Sequence, residues 1–127
     1  MEVYLSLQAQ KDFKLLQAMD SDSRGEGLLL GHKSGGRYFV ERIFSTPNYP
    51  FPSLEKYLSM EQLFNGQILG FFSFSSKKEK PEKILAPVAY RKLFLQVESQ
   101  KKNLKFNSFI IEYDHNFFLA PVKLISA

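Results

Sequence analysis

The chain has 127 residues, with 17 Lys and Arg against 13 Asp and Glu for a net charge of +4; 44% of residues are hydrophobic and 24% charged. A chain of this length folds as one domain and buries about two-thirds of its unfolded surface. Residues 1–127 are therefore expected to share one core, rich in the 13 Phe and 6 Tyr. The absence of cysteine excludes disulfide frameworks, thiolate catalysis and cysteine-held zinc or iron–sulfur centres. No apolar run approaches the roughly 20 residues that span a bilayer, and Met1-Glu2-Val3-Tyr4 opens without a basic leader. The default expectation is a cytoplasmic protein with no membrane contact.

Residues 2–7 alternate weakly and predict a first strand. Ala9, Phe13 and Leu16, widened by Leu15 and Met19, predict a helix from Ala9 to Met19. Asp20-Ser21-Asp22-Ser23-Arg24-Gly25 breaks it. Gly27-Leu28-Leu29-Leu30-Gly31 is an apolar run typical of a strand buried on both faces. The Lys33-Ser34-Gly35-Gly36 turn and the β-rich stretch from Arg37 to Phe44 complete a hairpin.

Pro47, Pro50 and Pro52 impose an irregular connection. Ser53 suits a helix cap before Leu54 to Phe64, in which Tyr57, Met60 and Phe64 fall on one face, and Asn65-Gly66 ends it. Gln67 to Phe74 predicts a strand. A third helix is expected from Pro87 to Gln100, then a closing hairpin of Phe106 to Tyr113, a turn at Asp114-His115-Asn116, and Phe117 to Ile125. The order β-α-β-β-α-β-α-β-β predicts an α/β (α+β) fold, a mixed sheet with helices packed on it.

Three segments in this order carry a family resemblance. Gly27-Leu28-Leu29-Leu30-Gly31 with the Gly35-Gly36 turn and Val40-Glu41-Arg42 resembles the opening hairpin of a JAMM-type MPN domain. Leu69-Gly70-Phe71-Phe72 resembles the strand that leads into that family's zinc loop, and Phe109-Ile110-Ile111-Glu112-Tyr113-Asp114 resembles a later strand. The resemblance implies a JAMM/MPN-like (cytidine-deaminase-like) domain over nearly the whole chain. Active members are zinc isopeptidases. A glutamate base stands three residues before the Gly-Leu-x-Leu-Gly strand, His-x-His follows the aromatic strand, and Ser-x-x-Asp comes seven residues later. An open zinc site supplies hydroxide near neutral pH while the carboxylate accepts its proton.

This chain departs at each position. Arg24 stands where the base belongs, Ser73 and Ser75 replace the imidazoles, and Lys83 and Ala86 take the Ser and Asp positions. No His or Asp lies between Gly66 and Ser99, so an alignment slip does not restore the ligands. A lysine or arginine about 5 Å from a dication is opposed by roughly 6–7 kcal/mol at an effective dielectric of 20. The resemblance therefore implies an inactive relative with no metal, no cofactor and no catalytic residue, acting as a protein-binding or scaffolding module. Such relatives commonly pair with a second MPN domain, so a protein partner or self-association is expected, with Tyr57, Phe64 and Phe118 as candidate anchors.

Other readings compete. Ser73 or Ser75 with Lys83 as base would make a metal-independent hydrolase, although Lys83 follows Lys77, Lys78 and Lys80 in a wet, charged loop. That same Lys77–Lys83 loop is a candidate contact for nucleic acid or an acidic partner; nucleic acid is the less expected, because the basic residues are bunched rather than interleaved with aromatics. Glu26 is a displaced carboxylate, shifted almost 7 Å along a strand from the base position. His32 and His115, the latter beside Asp114, are the only histidines, and nothing in their spacing joins them in a metal site.

Overall fold

The computed structural model describes residues 1–19, 25–45, 54–74, 89–100 and 103–126. Its elements are β1 (Glu2–Leu5), α1 (Leu7–Met19), β2 (Glu26–Ser34), β3 (Arg37–Ser45), α2 (Leu54–Leu63), β4 (Ile68–Phe74), β5 (Leu93–Gln100), β6 (Asn103–Asp114), β7 (Asn116–Pro121) and β8 (Lys123–Ser126). All eight strands belong to one sheet in the order β7-β6-β5-β4-β2-β3-β1-β8. The pairs β1/β3, β1/β8 and β4/β5 are parallel, and the others are antiparallel.

The two ends of this sheet are neighbours in sequence. Only Val122 separates β7 from β8, yet they occupy opposite edges. The Val122 amide donates to the Ser108 carbonyl at 3.1 Å, and Ser108 Oγ donates to the Val122 carbonyl at 2.8 Å. A flat sheet cannot satisfy both conditions. The sheet curls until β8 lies near β6, giving a nearly closed barrel.

The curl has a local cause. Pairing slips by one residue between Leu30 and Gly31 against β3, and between Leu29 and Leu30 against β4. Such bulges bend a strand and sharpen its twist. At Gly70 an added Cβ would stand 1.8 Å from the Leu93 carbonyl oxygen, and at Gly31 it would stand 1.9 Å from that of Phe39. Only glycine allows the backbones this close.

Helix α1 lies against the inner face. Ala9 and Phe13 are fully buried there with Val3, Leu5, Leu29, Phe72, Leu93, Leu95 and Val97. The Phe13 ring meets those of Phe72 at 5.1 Å and Phe106 at 5.3 Å. Helix α2 covers the outer face, where Tyr57 packs on Phe71 beside Leu28, Ile68 and Phe94. Burial pushes the Tyr57 phenol well above its ordinary value, with the Glu61 carboxylate adding to the effect.

The expected α/β class with an MPN-type architecture is corrected by this arrangement. The described residues form a mostly β structure with two short helices and a nearly closed eight-stranded sheet. The third helix, expected from Pro87 to Gln100, is replaced in its described part by β5. Leu93, Leu95 and Val97 face the inner core while Phe94 faces the outer one, so the apolar run reflects burial on both faces rather than a helical stripe. Arg91, at φ 67°, also interrupts any helix. The closing strand splits because Pro121 and Val122 end β7 and send β8 to the other edge. The hairpin forms as β2 and β3, with Gly35 and Gly36 both at positive φ.

An ion pair ties α1 to β3. Arg42 Nε donates to Asp12 at 2.8 Å and Gln8 donates to its other oxygen at 3.0 Å. Burial alone would raise the Asp12 carboxyl, but these bonds outweigh it and hold the carboxyl below the ordinary value. A carboxyl depressed on folding stabilises the protein fully above its unfolded pKa of about 4, and loses that contribution as pH falls through the folded value.

Two outcomes follow. Asp12→Asn lowers stability by about 1 kcal/mol at neutral pH, and the difference fades as pH falls through the depressed folded value, as read from urea unfolding at neutral and at strongly acid pH. Gly70→Ala lowers stability by about 3 kcal/mol or prevents folding. Gly35→Ala, where a Cβ meets open space, loses only about 1 kcal/mol from its left-handed backbone.

Candidate functional site

Of the positions singled out by sequence, Arg24, Ser75, Lys83 and Ala86 lie outside the described residues, as do Lys77, Lys78 and Lys80. Ser73 is described, near the end of β4. Its register partner on β2 is Glu26 and on β5 is Gln96, which in turn pairs with Asn107 on β6. Register partners project to the same face, so a carboxylate, a hydroxyl and two carboxamides form a row across four strands. Gln96 is buried there.

Neither histidine reaches that row. At about 3.3 Å per residue, His32 lies about 20 Å farther along β2 than Glu26. His115, just beyond β6, lies about 26 Å from Asn107 by the same measure. His32 stacks on Phe39 at 4.9 Å and pairs with Glu41; His115 sits exposed in the turn, 3.8 Å from Asp114. Among the described residues, no three of His, Cys, Asp and Glu gather into a metal-binding group. The row offers hydrogen bonds, but no described imidazole to activate Ser73.

The anchors separate as well. Tyr57 is buried under α2 and is not available to a partner. Phe64 is half-buried against Phe44, their rings 5.1 Å apart. Phe118 is exposed on β7.

A second group of chemistry-bearing residues occupies the opposite mouth of the barrel. Lys33 ends β2, Tyr38 begins β3, Arg91 and Lys92 precede β5, and Glu112 lies near the end of β6. Arg91 holds a left-handed backbone that a side chain makes unfavourable by about 1–2 kcal/mol. Several bonds fix it. Its amide donates to the Ile111 carbonyl at 2.7 Å, and its carbonyl accepts from Tyr38 Oη at 2.8 Å and Lys33 Nζ at 3.4 Å.

That backbone aims the Arg91 guanidinium at Glu112, 2.6 Å away. The Lys33 ammonium sits over the Tyr38 ring, 4.6 Å from its centre. Lys92 turns to the outer side, donating to the Ile68 carbonyl at 2.9 Å and lying 3.7 Å from Glu61.

The charges at this mouth act on one another. Partial desolvation, then the Arg91 charge, hold the Lys33 ammonium below the ordinary lysine value. Burial also lowers Lys92; Glu61 opposes that effect and Lys33 adds to it. Burial raises the Tyr38 phenol. Lys33 thus stands in a positive field with no carboxylate within ion-pair distance among the described residues. Phe118, the register partner of Glu112, is exposed on the same face; Tyr90 is exposed beside Arg91 in the chain, and Tyr113 is exposed with its ring against Phe117 on the other face of β6.

Sequence reasoning missed this cluster because Arg91 fell inside an expected helix and Lys33 inside a turn. The available signal was Tyr90-Arg91-Lys92, an aromatic and two cations directly before an apolar run.

Among the described residues no helix is long and apolar enough to cross a membrane. Neither a scan against protein-family models nor a search of curated proteins gives a match. Among solved structures the chain is similar to the solution structure of protein DSY2949 from Desulfitobacterium hafniense, with a TM-score of 0.71 over 98% of this chain and 92% of that one. At 15% identity this likeness establishes a shared fold and nothing more.

Proposed function

We propose that this domain is a non-catalytic protein-binding module. The observation that carries the reading is the surface at the Arg91 mouth, where Lys33 reaches the Arg91 carbonyl and the Arg91–Glu112 ion pair lies beside Phe118, the exposed register partner of Glu112. Aromatic residues and arginine dominate the energetics of protein interfaces, because they combine large apolar area with directed polar groups. A second copy of this chain is one form that such a partner takes.

The competing hydrolase reading asks Ser73 or Ser75 to act as nucleophile. For Ser73 the adjacent strands supply Glu26 and Gln96, and no described imidazole stands by to take the hydroxyl proton. The nucleic-acid reading rests on the Lys77–Lys83 loop and is distinguished by a steep loss of affinity between low and moderate salt.

Two measurements test the proposal. A serine-reactive fluorophosphonate is expected to label neither Ser73 nor Ser75; stoichiometric labelling of either overturns the non-catalytic assignment. Purification of the tagged chain from its own cells, followed by light scattering, is expected to give a stoichiometric complex with another polypeptide or a dimer. A monomer with no protein bound, at high micromolar concentration and in the native extract alike, contradicts the binding role.

A further inference from the structure

The Arg91 mouth has a composition that specifies more than a generic interface. Arg91 keeps a long cationic side chain at a left-handed position where glycine would relieve the backbone. Its carbonyl is the acceptor that brings the Lys33 ammonium to the same place. Among the described residues the balance here is three cations, Lys33, Arg91 and Lys92, against two carboxylates, Glu61 and Glu112.

Lys92 is taken up by Glu61 and the Ile68 carbonyl on the outer side. Arg91 shares its charge with Glu112, while among the described residues Lys33 contacts a carbonyl and an aromatic face. Among the described residues one positive charge is thus left over at the rim, on the Arg91 side of the ion pair whose Glu112 has the exposed Phe118 as register partner.

We propose that this mouth receives an acidic segment of a partner protein, one carboxylate seating between Lys33 Nζ and the Arg91 guanidinium while a neighbouring apolar side chain packs on Phe118. The proposal rests on the protein-binding reading and names the chemistry of the partner. A single uncompensated cation matches one carboxylate. It does not match a polyanion, whose further phosphates would meet Glu112 and Glu61 with like charge. The ammonium and the guanidinium both donate, and a carboxylate accepts from each with its two oxygens. The aromatic rim supplies the apolar half of the contact.

The test uses the full chain labelled with ¹⁵N and titrated with an acetylated, amidated Glu-Phe-Glu-Phe peptide. Its free-acid form and inorganic phosphate serve as comparison ligands. Peptide is expected to move the amide signals of Lys33, Arg91, Glu112 and Phe118, and to bind at least tenfold more tightly than phosphate. A tighter free-acid form assigns the seat to a chain terminus, and equal binding assigns it to an acidic side chain; both keep the site.

Lys33→Gln is expected to weaken binding at least fivefold, Arg91→Gly to abolish it, and Lys105→Gln, on the distant half of β6, to leave it unchanged. Lys33→Gln loses little structure and Arg91→Gly relieves the left-handed strain, so both variants are expected to melt no more than a few degrees from the parent. Unchanged affinity in both variants, tighter binding of phosphate, or signals that move equally at Lys105 and Lys123 overturns the proposal. If a native partner co-purifies equally well with both variants, the protein-binding role stands and this seat is wrong. If no partner is found but the peptide binds as described, the seat stands and the broader role fails.

Discussion

Close approach of backbones at three glycines is the constraint on which the rest of the molecule depends. An added Cβ would meet a carbonyl oxygen of the next strand at 2.2 Å for Gly27, 1.9 Å for Gly31 and 1.8 Å for Gly70. Gly31 sits where pairing slips between β2 and β3, and Gly70 pairs with Leu29 beside the slip between β2 and β4. Bulges and glycines together let a sheet coil far more tightly than regular strands allow. The coil wraps an apolar face around Phe13 of α1 and leaves the outer apolar face to α2. Without the bend, an eight-stranded sheet would present two broad faces that two short helices cannot cover.

Coiling also sorts the polar chemistry to opposite ends. Glu26, Ser73, Gln96 and Asn107 line up across four strands at one end, while Lys33, Tyr38, Arg91 and Glu112 meet at the other. About five to seven residues of strand separate the two, on the order of 16–23 Å. The serine end lacks an imidazole among its described neighbours. Among the described residues the arginine end joins a surplus cation to the exposed ring of Phe118. This combination is what the proposed role in holding a polypeptide rests on.

Much of the fold was legible where a residue type has a single physical use. The Gly35-Gly36 turn requires positive φ at both positions and both have it, so the hairpin could be read directly. The Phe13 and Tyr57 helices were visible from their apolar spacing. The segment from Leu93 to Val97 was misread because burial on both faces erases the alternation that marks a strand. The terminal strand looked continuous because nothing local to Val122 states that its neighbours join opposite edges of a sheet; that is a property of closure. The Arg91 site was illegible for a similar reason. A left-handed arginine, and a carbonyl shared by Lys33 and Tyr38, arise from contacts between residues more than 50 positions apart.

The central claim is that the Arg91 mouth, and not the serine row, is where this protein meets another polypeptide. Site-specific photocrosslinking in the native cell tests it most directly, with a benzophenone amino acid placed at Phe118 in one strain and at Asn107 in another. The account predicts a discrete crosslinked protein from position 118 and none from position 107. Crosslinks confined to position 107, with position 118 silent, would contradict it.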